Sequence, residues 1–245
     1  MFDIVQWLYH NRTLLVFNMI HARNIVKTFR SEGFENVVLQ NVNVDIESGE
    51  FVAVLGPSGS GKTSLLNILG LVDVPTSGEL LYLGHEVTKL KERQRINLRR
   101  GSVGFIFQHF GLIDELTAGE NIELPLQYLK YSKKERIKRV NEVLEKMNIA
   151  HRKKYFPRQL SGLQQQLVSI GRALAVNPDL ILADEPTGSL NSSDGGKVLE
   201  VLSSLNEQGR TIIMATHSAS DAEKAQRVVQ VFDGHIVTEN IKNRL

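Results

Sequence analysis

The chain has 245 residues, of which 42% are hydrophobic and 23% are charged, and its formal net charge is +2. This length is enough for one large α/β core that carries an inserted subdomain. The small net charge gives no argument for a nucleic-acid partner, and the absence of cysteine excludes disulfides and thiolate metal sites. No apolar run approaches about eighteen residues, which predicts that the chain does not cross a membrane.

The first eighteen residues, MFDIVQWLYHNRTLLVFN, are apolar but interrupted by polar and charged side chains. They lack the basic start and small-residue cleavage site of a secretory signal. We predict an N-terminal extension over 1–18 in front of a single domain over 19–245. The extension is either an amphipathic segment that contacts a membrane or a partner, or sequence that lies upstream of the true start at Met19.

Three apolar runs predict the strands of a buried sheet. Alternation in NVNVDIE is typical of a half-exposed strand, and the run Phe51–Leu55 that follows is typical of a buried one. Two more buried runs, over 178–185 and 210–217, flank a helical pattern over 198–205. Strand, helix and strand with short connections predict parallel pairing, and Asp233-Gly234 predicts a closing hairpin.

Between residues 84 and 159 the sequence becomes polar and charged, with the pattern of helices. Ser132 and Glu135 form a capping-box pattern in front of one apolar stripe. The stripe consists of Ile137, Val140, Val143, Leu144 and Met147. We expect a helical subdomain over about 89–164, inserted in an α/β core over about 19–88 and 165–245. The basic runs 91–100 and 130–139 are interpreted as solvated helix faces.

The segment GPSGSGKT follows a predicted buried strand and precedes an apolar helix. This context fits a phosphate-binding loop, in which glycines let backbone N–H groups surround the phosphates. Lys62 would reach the β and γ oxygens, and Thr63 would coordinate Mg²⁺. The candidate ATP-binding residues of this loop are Gly56, Pro57, Ser58, Gly59, Ser60, Gly61, Lys62, Thr63 and Ser64.

Polar residues follow three predicted strands. Asp184 and Glu185 end one strand, His217 follows the next, and Gln108 follows the run 102–107. Parallel strands deliver such residues to one sheet edge, where ligands bind in open α/β folds. Asp184 is then a candidate Mg²⁺ ligand and Glu185 a candidate base for the attacking water. Each could also be an ordinary turn or loop residue.

Ser161 and Gly162 begin an amphipathic helix in QLSGLQQQLVSIGRAL. Unpaired N–H groups and the positive end of the helix dipole favour an anion at such a terminus. A plain serine N-cap on a core helix is the alternative interpretation.

The ordered motifs GPSGSGKT, FQ, LSGLQQQ, LILADEPTG and ATH resemble those of the ATP-binding subunits of ABC transporters. The stretches PTSGE, ENIELPL and ADEPTGSL are most similar to the lipoprotein-releasing and macrolide-export group. The resemblance implies a P-loop NTPase fold, with a RecA-like core of mainly parallel sheet, an antiparallel β region and a helical subdomain. It implies a head-to-tail dimer with a second ATPase subunit, in which two ATP molecules lie between the subunits.

The same resemblance assigns roles by position. Ser161, Gly162 and Gln164 would contact the nucleotide of the partner subunit, and Phe29 would stack on adenine. Gln108 would sense Mg²⁺ and water, and His217 would hold the γ-phosphate. The chain departs from the family pattern at three positions, where the family has Gly, Arg and Asp. These are Leu163, Leu167 and Asn191.

The expected function is ATP hydrolysis that powers a transporter, with a leaning towards export, together with a transmembrane permease. The chain would lie peripherally on the cytoplasmic face of the inner or plasma membrane. A regulatory ATPase of a membrane complex, of the cell-division type, is the alternative, and it would use the same catalytic residues. Soluble ABC-type ATPases that act on nucleic acid or ribosomes commonly carry two ATPase domains or long coiled coils. Neither is present in this sequence, so no nucleic-acid partner is expected.

Overall fold

The computed structural model describes residues 18–31 and 33–241, so nearly all of the predicted extension 1–18 lies outside the described residues. The strands are β1 Asn18–Ser31, β2 Phe34–Glu47, β3 Phe51–Leu55, β4 Ser77–Tyr82, β5 His85–Glu86, β6 Val103–Ile106, β7 Leu180–Asp184, β8 Thr211–Thr216, β9 Arg227–Phe232 and β10 His235–Ile241. The α-helices are α1 Lys62–Leu69, α2 Glu92–Arg99, α3 Ala118–Gln127, α4 Lys133–Lys146, α5 Gly162–Ala175, α6 Ser192–Glu207 and α7 Ala219–Ala222. Two 3₁₀ turns, Ala150–Arg152 and Pro157–Gln159, precede α5.

In the described part of the chain the strands form two sheets. One has the order β10-β9-β3-β8-β7-β6, and its strands from β9 to β6 run parallel while β10 is antiparallel. The other, β2-β1-β4-β5, is antiparallel throughout. The predicted parallel strands and antiparallel β region are therefore confirmed.

Side chains alternate between the two faces of the larger sheet, as a pleated strand requires. Ile181 and Ala183 of β7 join a cluster formed with helices α3 to α6, whereas Leu180 and Leu182 join the other cluster. That second cluster contains α1 and the antiparallel sheet. Each buried apolar run of the sequence thus faces two cores at once, which explains why it lacks an alternating pattern.

Helix α4 begins at the predicted capping box. At the start of α4, Ser132 Oγ accepts from Glu135 N, and a Glu135 carboxylate oxygen accepts from Ser132 N at 2.7 Å. The predicted stripe is buried except at Ile137, which is 44% exposed. The predicted solvated face of α2 is confirmed, since that helix has no buried residue.

Strand β6 lies within the range 89–164 that the sequence assigns to the helical subdomain. It pairs in parallel with β7, from Val103 with Leu180 to Ile106 with Ala183. The strand itself is predicted, and its place in the core sheet carries Gln108 to the same sheet edge as Asp184. The division of the chain into core and subdomain stays a prediction.

The predicted hairpin is formed by β9 and β10, with Phe232 paired to His235. Its two turn residues, Asp233 and Gly234, both have positive φ, as a two-residue type I′ turn requires. Gly234 N donates to Ser60 O at 3.1 Å, and Gln40 N donates to Gly234 O at 2.8 Å. The turn therefore links the loop after β3 to strand β2.

We expect replacement by alanine to change stability in opposite directions at two glycines, Gly70 and Gly196. A Cβ at Gly70 would lie 2.3 Å from Leu182 Cδ1 and 2.5 Å from the Phe105 ring, both of them packed in the core. We expect Gly70→Ala to lower the free energy of unfolding by about 1–3 kcal/mol through overpacking. Gly196 lies inside α6 with nothing within 4 Å of an added Cβ, so Gly196→Ala should raise it by about 0.5–1 kcal/mol. Urea unfolding of both variants tests this, and equal effects would contradict the packing argument.

Among the described residues, no helix combines the length and the apolar character needed to cross a membrane.

Candidate functional site

The carboxyl edge of the parallel sheet borders a cavity of about 630 Å³. It is lined by Val38, Pro57, Ser58, Gly59, Gly61, Lys62, Thr63, Ser64, Gln108, Asp184, Glu185 and His217. The structure thus brings together most of the phosphate-loop residues with the polar residues that follow β6, β7 and β8. Gly56 and Ser60 complete the loop from behind, where a Cβ at Gly56 would lie 2.2 Å from Val231 O.

The loop from residue 56 to 61 leaves the first N–H groups of α1 available. Gly61, the N-cap, has φ of 101°, and no side chain caps this helix. A Cβ at Gly61 would also lie 2.7 Å from Val38 O, so the turn requires glycine twice over. By contrast, the serine and threonine N-caps of α3, α4 and α5 accept backbone hydrogen bonds from their own helices. The free N–H groups of α1 suit an anion such as phosphate.

Lys62 is 6% exposed, and its ammonium group lies at the centre of the cavity wall. Nζ donates to Gly56 O and Pro57 O, both at 2.9 Å, and lies 3.7 Å from Glu185 Oε1. The loop carbonyls therefore hold the ammonium beside the place where phosphate oxygens would bind.

Asp184 and Thr63 form an oxygen pair suited to a divalent cation. Thr63 Oγ1 donates to Asp184 Oδ2 at 2.8 Å, while Asp184 Oδ1 is buried with no hydrogen-bond partner among the described residues. Burial is the main cause that raises the pKa of Asp184, and the nearby Glu185 adds to it, against the lowering effects of Thr63 and Lys62. A buried, unpartnered carboxylate oxygen beside a hydroxyl fits Mg²⁺, which prefers oxygen ligands.

Glu185 directs its carboxylate into the cavity from a strained position. Its φ is 47°, in the left-handed region that disfavours a non-glycine residue, and its N–H donates to Ala215 O at 2.9 Å. Its Oε2 lies 2.9 Å from His217 Nδ1, so the two side chains form a hydrogen-bonded pair. The pair fits a base that takes a proton from water and a partner that orients it.

Apart from Gly56 and Ser60 behind the loop, four further candidate residues do not line this cavity. Phe29 is 47% exposed, and the ammonium of Lys27 covers one face of its ring at 4.9 Å from the centroid. Ser161 and Gln164 form a reciprocal capping box at the start of α5, as the N-cap interpretation predicts, and Gly162 follows Ser161. Within one chain Ser161 is thus a helix cap, and the nucleotide contacts of these four residues stay predictions.

The three departures from the family pattern fit the fold locally. Leu163 and Leu167 lie in α5, are partly buried, and pack against the core. Asn191 is the N-cap of α6, and its side-chain oxygen accepts from Asp194 N at 2.9 Å. Because asparagine and aspartate cap helices equally well, Asn191 keeps the cap that the family's aspartate would supply.

Sequence reasoning missed two links around the site. Thr187 Oγ1 donates to Asp221 Oδ2 at 2.5 Å, which ties the turn after Glu185 to α7 after His217. Gln166 of α5 is the third residue of a glutamine run. Its side chain is fully buried against the loops after β6 and β7. Helical period alone could have indicated that Gln166 faces the same side as the apolar residues of α5.

A family model described as ABC transporter matches residues 39–188. The chain is 47% identical to an uncharacterized ABC transporter ATP-binding protein, MJ1508, from Methanocaldococcus jannaschii, covering 89% of this chain and 98% of that protein. It is also 47% identical to the macrolide export ATP-binding/permease protein MacB of Campylobacter jejuni, over 92% of this chain. The chain spans only 35% of that MacB protein, about a third of its length.

Among solved structures, the chain matches one titled as a dimeric, post-hydrolysis state of the ATP-binding cassette MJ0796 bound to ADP and Pi. The TM-score is 0.85 at 40% identity, covering 93% of this chain and 100% of that one. The fold, the phosphate loop and these matches agree, and the chain belongs to the ABC transporter family as an ATP-binding cassette of the ATPase type.

Proposed function

We propose that this chain binds Mg²⁺-ATP at the loop before α1 and hydrolyses it to ADP and phosphate. The observation that carries the proposal is the convergence of Lys62, Asp184, Glu185 and His217 on one cavity at the carboxyl edge of the parallel sheet. Phosphoryl transfer to water needs a cationic donor for the phosphates, oxygen ligands for Mg²⁺ and a base held by a partner. Lys62, Asp184, and Glu185 with His217 supply these groups in that order.

The phosphates bind to the free N–H groups of α1 and to the loop, and Lys62 exchanges its bonds to the loop carbonyls for bonds to phosphate oxygens. Thr63 and Asp184 would hold Mg²⁺, with Gln108 nearby, and the ion would supply charge neutralisation for phosphoryl transfer. No group of three or more His, Asp or Glu residues in the described chain could hold a metal ion. The nucleotide oxygens would therefore complete the ligand set.

Glu185 accepts a proton from the water that attacks the γ-phosphorus. The new P–O bond forms as the bond to the β-phosphate oxygen breaks, and ADP and phosphate leave. His217 holds the Glu185 carboxylate towards the water through its 2.9 Å contact with Oε2, and it contacts the γ-phosphate. This assignment gives Gln108, Glu185 and His217 the direct roles at the reacting atoms.

A second copy of the chain completes each site in this proposal. The head-to-tail dimer places Ser161, Gly162 and Gln164 of one subunit against the nucleotide of the other, while Phe29 stacks on adenine. Support comes from the dimeric relatives, of which one is a cassette bound to ADP and Pi. The cap geometry of Ser161 leaves the start of α5 half-exposed, as such a contact requires.

The proposed partner in the membrane is a permease that uses the ATPase cycle for export, with the cassette held peripherally on the cytoplasmic face of the inner or plasma membrane. Support comes from relatives named as macrolide export ATP-binding/permease proteins, in which the matched region is about a third of the whole. Two other relatives, of which the match covers 98% and 96%, are named as uncharacterized ABC transporter ATP-binding proteins.

Asp184→Asn gives the direct test of the metal site. The amide removes the charge that holds Mg²⁺ and keeps the side-chain shape, so we expect the Mg²⁺ concentration for half-maximal hydrolysis to rise about tenfold or more. Phosphate release by the purified chain, titrated with Mg²⁺, measures this. Asp179→Asn is the matched control, because Asp179 lies at the opposite end of β7.

An unchanged Mg²⁺ requirement in Asp184→Asn would remove this residue from the metal site. A parent chain that releases no phosphate from ATP, with or without its membrane partner, would overturn the proposed function itself.

A further inference from the structure

Gln166 is a buried amide at the junction of three functional segments. It lies in α5, five residues after Ser161, and it is 0% exposed, whereas its neighbours Gln164 and Gln165 are half-buried. A glutamine amide that loses water needs protein partners, because an unpaired buried amide is costly. The Nε2 of Gln166 has such partners, whereas Oε1 is buried with no hydrogen-bond partner among the described residues, so the Nε2 contacts are the ones that indicate its role.

Its Nε2 donates to Pro186 O at 2.8 Å and to Phe107 O at 3.4 Å. Pro186 directly follows the candidate base Glu185, and Phe107 directly precedes Gln108. One amide group of the helix that begins at Ser161 thus holds the backbone next to both residues. Neither acceptor is a side chain, so the contacts fix main-chain positions.

The surrounding contacts make this junction rigid. Ser189 Oγ donates to Gln108 O at 3.0 Å, which joins the two loops directly. Arg172, further along α5, donates to Phe110 O at 3.1 Å and to Gly111 O. Gly188 N donates to Glu185 O at 3.0 Å, which closes the turn after Glu185. Helix α5 therefore contacts the loop after β6 through Arg172. Through Gln166 it contacts both that loop and the loop after β7.

The strained backbone of Glu185 requires contacts that hold it in place. A non-glycine residue at φ of 47° keeps that conformation only when its surroundings fix it. The bond from Glu185 N to Ala215 O fixes the residue on one side, and the bond from Gln166 Nε2 to Pro186 O fixes the carbonyl of the next residue on the other. Loss of the second bond would let the turn relax and turn the carboxylate away from the cavity.

We propose that Gln166 is a positioning residue for hydrolysis, which couples the helix that begins at Ser161 to the loops of Glu185 and Gln108. This inference deepens the proposed function and rests on it. When the start of α5 meets the nucleotide of a partner subunit, a shift of the helix is carried by Gln166 to the backbone beside the base. The side chain itself is fully buried and does not line the cavity, so it acts through the backbone of the two loops.

The test uses two replacements and one control. Gln166→Met keeps the volume and loses both hydrogen bonds, and Gln166→Glu keeps the shape but places a charge against two carbonyl oxygens. Gln165→Met is the control, because the Gln165 amide donates to Leu160 O, just before its own helix, and to no other acceptor among the described residues. The measurements are kcat and KM for ATP, urea unfolding, and amide exchange of the segments 107–111 and 186–191.

For Gln166→Met we expect kcat to fall about tenfold and KM to stay within about twofold, since the bonds that hold the backbone beside Glu185 and beside Gln108 are both lost. Gln166→Glu should lower kcat further, and Gln165→Met should match the parent. Amide exchange should rise in the two loops of Gln166→Met and stay unchanged in β7 and β8.

Parent-like kcat in a folded Gln166→Met variant would overturn the inference and leave the proposed function standing. Failure of both variants to fold would show a purely structural residue, which also overturns it. If the parent chain itself hydrolyses no ATP, the proposed function is wrong and this inference with it.

Discussion

Glu185→Gln should lower the rate of ATP hydrolysis by at least about a hundredfold, the usual contribution of a general base, and leave ATP bound. The amide cannot accept the proton of the attacking water, while Lys62, Thr63 and Asp184 are unchanged. ATP affinity should stay within about threefold, because binding depends on the loop and the metal rather than on the base. Phosphate release and equilibrium binding of a fluorescent ATP analogue measure the two quantities.

The same variant should accumulate as a dimer in the presence of ATP, since hydrolysis no longer removes the nucleotide that joins the subunits. Size-exclusion chromatography with and without ATP shows this directly. Glu207→Gln, an exposed position at the end of α6, makes the same charge change away from the cavity and should behave like the parent. Hydrolysis by Glu185→Gln at the parent rate would show that another group is the base.

A mixed dimer separates the two interpretations of Ser161. Lys62→Ala damages the phosphate loop, and Ser161→Arg places a bulky cation at the N-terminus of α5, where it opposes the helix dipole and blocks the phosphate. If each site combines one chain's loop with the other chain's α5, the mixed dimer has one doubly damaged site and one intact site. It should then trap about one ATP per dimer, far more than either homodimer.

Nucleotide trapping is the measurement, because turnover can require both sites. Ser161→Ala is the control for the cap, and should cost only about 1 kcal/mol of stability without blocking the partner's phosphate. A mixed dimer that traps no more ATP than the homodimers would mean that Ser161 acts only as the cap of its own helix.

The parts of the site that are local in sequence could be predicted from it. The phosphate loop needs only a buried strand, glycines and Lys62-Thr63 before a helix, and all of these are adjacent in the chain. Asp184, Glu185 and His217 end their strands, so parallel pairing alone brings them to the cavity. The cap at Ser132 likewise depends on residues within one turn.

The parts that depend on distant partners could not be predicted. The pairing of β6 with β7 joins segments separated by about seventy residues, and nothing within β6 indicates its neighbour. The helical period places Gln166 on the apolar side of α5, but nothing near it in sequence indicates that its amide bonds to Pro186 O and Phe107 O, which belong to distant loops.

Because the turn at Asp233-Gly234 contacts the phosphate loop, we expect it to determine when that loop can take its final form during synthesis. Gly234 N reaches back to Ser60 O, and β9 pairs with β3, the strand that leads into the loop. The loop lies early in the sequence and is synthesised first. The strands that flank β3 in the sheet, β8 and β9, are synthesised only after residue 210. A nascent chain released before residue 234 would carry the whole glycine-rich motif and still lack the backbone support behind it. Nucleotide binding should therefore begin late in translation, with an abrupt onset as the hairpin closes, and a stalled chain that ends before β9 should bind none.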